Sequence, residues 1–205
     1  MPIHPTYSSD IAFTAAVKAI QARKGSRHAY SRMEQGGSWE TSITPELQAF
    51  IATQTSVYLA TANGDGQPYI QHRGGPEGFL RVLDEHTLAF VDYTGNRQYI
   101  TTGNLSENPR AHLFLMDYEL RQRVKIWGHA KVVEHDDALV NALMPSGYKA
   151  KPEQVIVFTV SAWDANCNQH IPTRFDSAKV KEALDLRDQR IAELEAEVAA
   201  LRRIE

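Results

Sequence analysis

Arg97 stands in the stretch DYTGNRQYITTGNL, residues 92–105, directly after an apolar run, TLAFV. Its guanidinium is a permanent cation with a fork of donors that suits phosphate oxygens. Asn96, Gln98, Thr101 and Thr102 add amide and hydroxyl donors. A helix expected from about Asn96 to Leu105 would aim its free N-terminal N–H groups at the same place. Together these make an anion cradle, with phosphate the first anion to consider. A second cation, Arg73, ends the predicted strand in YIQHRGGPEG, and Gly74 and Gly75 after it allow backbone to approach a ligand closely. Two arginines at the ends of neighbouring strands could clamp one phosphate. Taken singly, each stretch also reads as something plainer: a polar helix start, or a hairpin loop with a solvated arginine.

The third polar stretch is SAWDANCNQHIPTRF, with Trp163, Asn166, Cys167, Asn168, Gln169 and His170 next to a strand. Cys167 is the single cysteine, and no tight His, Asp or Glu spacing surrounds it, so a zinc site is not expected. Neither a base geometry nor an oxyanion hole can be read beside it, which favours pocket lining over nucleophilic catalysis. His112 and His129 fall on predicted strands, as outward or hydrogen-bonded histidines, and Trp127 reads as core or interface. The chain contains no P-loop, no GxGxxG and no GxSxG.

The elements that must hold these groups are legible from periodicity and punctuation. Residues 9–23 carry a moderate helical pattern, and GSRHAYSRMEQGGSWETSI, residues 25–43, reads as a surface loop. Thr44-Pro45-Glu46 is a helix start, with the hydroxyl at the N-cap, and this helix runs to about Thr53, burying Leu47, Phe50 and Ile51. Seven strand candidates follow: SVYLATA, PYIQHR, GFLRVL, TLAFVD, RAHLFLMDY, QRVKIWGHAKVVE and QVIVFTVSAW. Gly128 suggests a bulge or bend in the sixth, and a short helix is expected from Asp136 to Leu143. Short strands joined by tight turns favour an antiparallel barrel or sandwich. From Ser177 to Glu205 there is no Pro or Gly. Leu184, Arg187, Ile191, Leu194, Val198 and Leu201 alternate by three and four, an amphipathic or coiled-coil seam with one polar break. The expected division is a helical extension and loop (1–43), a barrel domain (44–175) and a C-terminal helix (176–205).

Composition trims the function classes. The 205 residues carry a net charge of −3, which weighs against a nucleic-acid partner. A lone cysteine permits no intrachain disulfide and fits a reducing compartment. The N-terminus, MPIHPTYSSD, lacks the basic and apolar blocks of a signal peptide. No apolar run approaches the roughly 20 residues of a membrane span. The expectation is a soluble cytoplasmic protein with no membrane partner.

From about Thr44 to Phe175 the chain resembles the FMN-binding split-barrel proteins related to pyridoxamine 5'-phosphate oxidase. The features that carry the resemblance are, in order, the helix at Thr44, VYLATANGDGQPYIQHRGG, LAFVDYTGNRQYITTGNLSENPRAHLFLMD, VKIWGHAKVVE and NCNQHIP. It implies a mainly β fold with flanking helices: a six-stranded antiparallel split β-barrel that pairs into a homodimer, with FMN at the interface. It implies that Arg73 reaches the phosphate, with Gln71 and His72 beside the ribityl chain or ring. Val91 and Asp92 match strand positions whose backbone meets the isoalloxazine. Asn96, Arg97 and Gln98 match a Ser-Arg-Lys type phosphate cradle, and Thr102 and Asn104 lie on the helix after it. Trp163 and the Asn166, Cys167 and Gln169 stretch would come near the ring, the partner subunit being one source. Gln98 stands where the oxidase has Lys, and the oxidase's substrate-phosphate residues and Arg-containing C-terminal signature have no clear counterpart. The resemblance therefore implies an FMN-dependent oxidoreductase acting on a small molecule or a nicotinamide, with pyridoxamine phosphate disfavoured. The alternatives are a deazaflavin-dependent reductase and a non-catalytic flavin- or haem-binding module, for which His72, His112, His129 and His170 are the candidate axial ligands.

Overall fold

The computed structural model describes residues 6–166 and 169–202. The chain divides into two compact units, Met1–Asp117 with Arg123–Cys167, and Tyr118–Gln122 with Asn168–Glu205. Among the described residues no helix is long and apolar enough to cross a membrane.

The first unit is built on one sheet of seven strands: β1 (Ser56–Ala62), β2 (Pro68–Gly74), β3 (Arg81–Asp84), β4 (Thr87–Tyr93), β5 (Arg110–Asp117), β6 (Gln122–Val133) and β7 (Pro152–Asn166). Their order is β2-β1-β5-β6-β7-β4-β3. These are the seven stretches read from the residues, one more than the family resemblance implies; the fold is consistent with a split barrel. β5 and β6 bury alternate residues, so Ala111, Leu113, Leu115, Val124 and Ile126 share the core face. β4 is buried on both faces and reads as a continuous apolar run for that reason. Leu88 and Phe90 enter the main core, while Ala89 and Val91 join a second cluster with Val155 and Leu143. Leu143 ends α5 (Asp137–Leu143), whose N-cap, Asp136, accepts from Leu139 N.

Gly128 sits at a register shift in the β6–β7 pairing, as its place in the strand suggested. A Cβ there would lie 2.0 Å from the Thr159 carbonyl and 2.6 Å from the Phe158 ring. Only glycine lets β6 and β7 approach at that point.

Three helices precede the sheet: α1 (Ala15–Arg23), α2 (Arg27–Gln35) and α3 (Pro45–Ala52). In α3, Thr44 caps Leu47 N, Pro45 opens the helix, and Leu47 and Ile51 are buried as expected, while Phe50 is only partly buried against the core. The segment expected as a surface loop is instead helical over α2. Its Gly residues flank the helix, while RHAYSRMEQ between them buries Glu34 against the cations of Arg27 and Lys18. Two strong charge partners hold a carboxylate that composition alone assigns to solvent.

The helix expected from about Asn96 is α4, and it runs from Ile100 to Glu107. The delay has a backbone cause. Arg97 (φ 58) and Tyr99 (φ 54) are both left-handed, and Tyr99 is the N-cap. Arg97 therefore belongs to the loop before the helix rather than to its first turn.

The second unit carries α6 (Ser177–Leu201), capped by Asp176 onto Ala178 N. Within this unit Lys179 pairs with Glu119 at 2.7 Å, and Arg174 lies over the Tyr118 ring at 4.3 Å.

Candidate functional site

The site grows from strand alternation. Directly opposed residues of an antiparallel pair lie on one face of the sheet. Arg73 opposes Val57 and Gln71 opposes Leu59. Val57 and Leu59 are core residues, so Arg73 and Gln71 lie on the core-facing side of β2. On β4, Asp92 continues the parity of Leu88 and Phe90 past the end of the apolar run. Gln154 of β7 opposes it. Four polar side chains from three strands thus close one end of the main core.

They are bound to one another. Arg73 Nε lies 3.1 Å from Asp92 Oδ1, with side-chain exposures of 14% and 11%. Gln154 Nε2 donates to Asp92 Oδ2 and to Thr102 Oγ1, both at 3.0 Å. Arg73 Nη2 donates to Thr101 Oγ1 at 3.4 Å, and Thr101 Oγ1 donates to Gln71 Oε1 at 3.4 Å. Thr101 and Thr102 belong to the first turn of α4, so the helix start is stitched directly to β2 and β7, and through Gln154 to β4. Asn104 fixes the next turn, donating from Nδ2 to Thr61 Oγ1 of β1 at 3.0 Å.

Burial pushes the Asp92 carboxyl above the usual carboxylate range, and the Arg73 cation and the Gln154 bond oppose that rise without cancelling it. The Arg73–Asp92 contact is close in distance but poor in direction. The buried Nε–H has no acceptor in hydrogen-bond geometry. A buried donor left over beside a polar cleft calls for an explanation.

That cleft is lined by Gln71, Arg73, Asp92, Tyr93, residues 95–102, Glu153 and Gln154. Its volume is about 40 Å³. That is room for roughly three waters, the scale of one phosphate group and far short of a fused ring system. Asn96 Oδ1 accepts from Gln98 N at 3.3 Å, which holds the loop in a turn. Tyr99 donates its hydroxyl to Glu153 Oε1 at 2.7 Å. The first N–H groups of α4 have no intrahelical acceptor and open onto the same loop.

Of the residues the sequence singled out, Gln71, Arg73, Asp92, Asn96, Arg97, Gln98 and Thr102 meet in this cleft. Others lie elsewhere in the chain. His72 opposes Tyr58 on the other face of β2, with Nε2 2.8 Å from Ser56 Oγ. The Val91 side chain is buried in the second cluster. Asn104 packs on β1. Trp163 donates Nε1 to the Ser42 carbonyl at 2.8 Å. It stands nine residues beyond Gln154 on β7, roughly 30 Å along a strand. The backbone of Asn166 ends the same strand, and Gln169 is exposed in the second unit. Cys167 lies outside the described residues. Within one chain, then, Trp163 does not share the cleft with Arg73; the Asn166 side chain lies outside what the structure describes.

Two cleft residues escaped the sequence reading, Glu153 and Gln154. The signal for Gln154 was present: a neutral polar side chain opening an apolar strand, at the parity of Ile156 and Phe158. It is 4% exposed, and a buried amide of that kind needs partners.

A mainly antiparallel sheet with this polar cleft at the rim of its core defines a split-barrel protein with a candidate anion site. The family model described as pyridoxamine 5'-phosphate oxidase matches residues 43–167, more than half of the chain. The chain belongs to that family. Among solved structures it is similar to HupZ from Group A Streptococcus, with a TM-score of 0.50 and 21% identity over 65% of this chain and 99% of that one. It is also similar to a Clostridium acetobutylicum protein related to general stress protein 26 of B. subtilis, with a TM-score of 0.45 and 16% identity over 66% and 94%. A third is an FMN-binding protein from Syntrophomonas wolfei subsp. wolfei, with a TM-score of 0.47 and 12% identity over 72% and 97%. No curated protein matches the chain in sequence. The likeness to HupZ speaks to the fold alone.

Proposed function

We propose that this protein binds FMN and acts as an FMN-dependent oxidoreductase on a small molecule or a nicotinamide. The observation that carries the reading is the pair of arginines, Arg73 and Arg97, reaching one phosphate-sized polar cleft from separate segments. The donor set suits a phosphate monoester. It comprises two guanidinium groups, the Asn96 and Gln98 amides, the Thr101 and Thr102 hydroxyls and the open N–H groups of α4. The orphaned Arg73 Nε–H is a further reason to expect an acceptor here.

The residues divide the work. Asp92 has its oxygens engaged by Arg73 and Gln154, so it holds the guanidinium in place. Thr101 ties the same guanidinium to the helix start. Arg97, exposed on the loop, is the free-standing cation of the pair. When bound, FMN supplies the hydride and one-electron chemistry, and the protein binds, orients and tunes it. A cleft of about 40 Å³ holds the phosphate end only. The rest of the cofactor then lies over surface outside it, which supports a second copy of the chain completing the site. Gln98, where the oxidase has Lys, supports a substrate other than pyridoxamine phosphate.

The test is spectroscopic. Purified protein is expected to show flavin absorption bands and to release FMN on denaturation. Colourless protein that fails to bind added FMN overturns the proposal. Oxidation of NADH or NADPH by the loaded protein then tests turnover.

A further inference from the structure

Helix α6 buries nothing. All of its described residues are exposed, including Ile191 at 53% and Leu201 at 66%. Yet its large apolar residues, Leu186 apart, keep a heptad. Leu184, Ile191 and Val198 take the a positions. Val180, Leu194 and Leu201 take d, with Arg187 as the single polar d residue. A 25-residue helix extends about 37 Å at 1.5 Å per residue. Its own support is slight: Lys181–Asp185 and Arg190–Glu193, both exposed pairs on one helix. A stripe of that length, held in strict register and left open, is built to meet another helix.

We infer that α6 pairs with α6 of a second copy of this chain as a parallel, in-register two-stranded coiled coil. Three features choose this occupant and this orientation. First, Ile191 and Val198 at a with Leu194 and Leu201 at d is the arrangement that favours two parallel strands. Second, the flanking charges complement each other. In a parallel pair each g residue faces the e residue five positions on in the partner. That sets Arg190 against Glu195 and Glu197 against Arg202, each pair occurring twice by symmetry. Arg190 is then shared between Glu193 on its own helix and Glu195 across the seam. Third, the antiparallel alternative is penalised. The register that brings Ile191 onto Leu194 sets Asp188 against Glu195 and Lys181 against Arg202, both like-charged, and offers only Arg190 against Glu197 in return. Arg187 at d weakens the seam locally, and a polar residue at one seam position is a device that fixes register. Asp188, at the adjoining e position, offers it a counter-charge.

The experiment uses the full chain and reads helix pairing separately from any pairing of the barrels. Leu201→Cys places a thiol at the last d position, and Gln189→Cys places one on the outer f face. Under mild thiol–disulfide exchange, Leu201→Cys is expected to give a disulfide-linked dimer well above the background of the unsubstituted protein, which carries Cys167. Gln189→Cys should stay at that background. Adding Ile191→Lys to Leu201→Cys should remove the link. Failure of Leu201→Cys to link, equal linking of both variants, or a link that survives Ile191→Lys overturns the inference. In the antiparallel register the two residues 201 stand about 25 Å apart, beyond the reach of a disulfide. A Leu184–Leu201 bridge in the double cysteine variant would therefore also overturn it. None of these readouts depends on whether flavin is bound.

Discussion

His112 offers the sharpest quantitative test of the packing. It lies on β5, half-buried, with its ring edge-on to Trp127 at a centroid distance of 4.9 Å. Trp127 is stacked in turn on Trp39 at 4.6 Å. Burial first, and the Lys125 cation second, push its pKa from an ordinary 6.5 down to about 4. Lys125 lies over the Trp39 and Trp127 rings at 5.7 and 5.3 Å and pairs with Asp164 at 3.0 Å. The folded chain therefore keeps His112 neutral at pH values where the unfolded chain protonates it. Between about pH 6.5 and pH 4 the unfolded state binds more protons, so stability rises with pH across that window and is lost as pH falls through it. At roughly 1.4 kcal/mol per pH unit, the whole window is worth about 3 kcal/mol, of which about 2 kcal/mol falls between pH 7 and pH 5. His112→Gln, which cannot titrate, should show an acid loss smaller by that amount. Urea unfolding followed by tryptophan fluorescence at several pH values gives both curves, and the difference between them cancels every other titrating group. Parallel curves for wild type and variant, or a measured His112 pKa near 6.5 in the folded protein, would refute the reasoning.

Two further substitutions test the site and the sheet. Arg97→Ala should weaken FMN binding by about 1.5–3 kcal/mol, the worth of a hydrogen bond to a charged group; because Arg97 is exposed on a loop, thermal stability should hardly move, and unchanged affinity in a fluorescence titration would remove it from the cradle. Gly128→Ala should lower stability by about 3 kcal/mol or more, since its Cβ would overlap the Thr159 carbonyl and the Phe158 ring; Gly95→Ala, whose Cβ meets nothing nearer than the Tyr93 carbonyl at 4.0 Å, is the control, and equal thermal midpoints would count against the bulge argument.

The strands were legible because their signals are local. Each pairs β-branched or aromatic residues with a Gly-, Asp- or Asn-containing turn, and Gly128 marked its own bulge. The cap of α3 was legible for the same reason. The start of α4 was not. Nothing in NRQY announces left-handed backbone at Arg97 and Tyr99, since Asn96 is the residue type that takes such φ values readily. What holds Tyr99 there is tertiary: its hydroxyl is tied to Glu153, 54 residues away in sequence. Helix α2 hid behind flanking glycines because the charges that let Glu34 be buried come from Lys18 and Arg27. His72 is a different case. Period-two alternation sets it on the opposite face of β2 from Gln71 and Arg73, a separation that the shared stretch of sequence hides.

The cleft poses a physical question that the arginines alone do not answer. It holds two arginines, Arg73 and Arg97, and two carboxyl groups, Asp92 and Glu153. With Lys in place of Gln98 the formal balance would be positive; as it stands the charges cancel. An anion is then not drawn by net field, which solvent and salt screen at the mouth of the cleft. On the proposed function it is held by the direction of donors. The carboxyl groups can sit so close because each is already engaged, Asp92 by Arg73 and Gln154 and Glu153 by Tyr99. Desolvation raises the Asp92 pKa, and for the same reason Arg73 is indispensable to it: removing one partner of a buried pair leaves a charge that neither water nor protein compensates. Arg73 is thus committed to the fold and offers the ligand only its remaining donors. Arg97, on a loop strained into left-handed backbone, carries no such structural duty. Strain of that kind persists where the surroundings enforce it and is concentrated at functional sites. On the proposed function, then, the two cations divide anchoring from recognition, with recognition assigned to the arginine that the fold needs least.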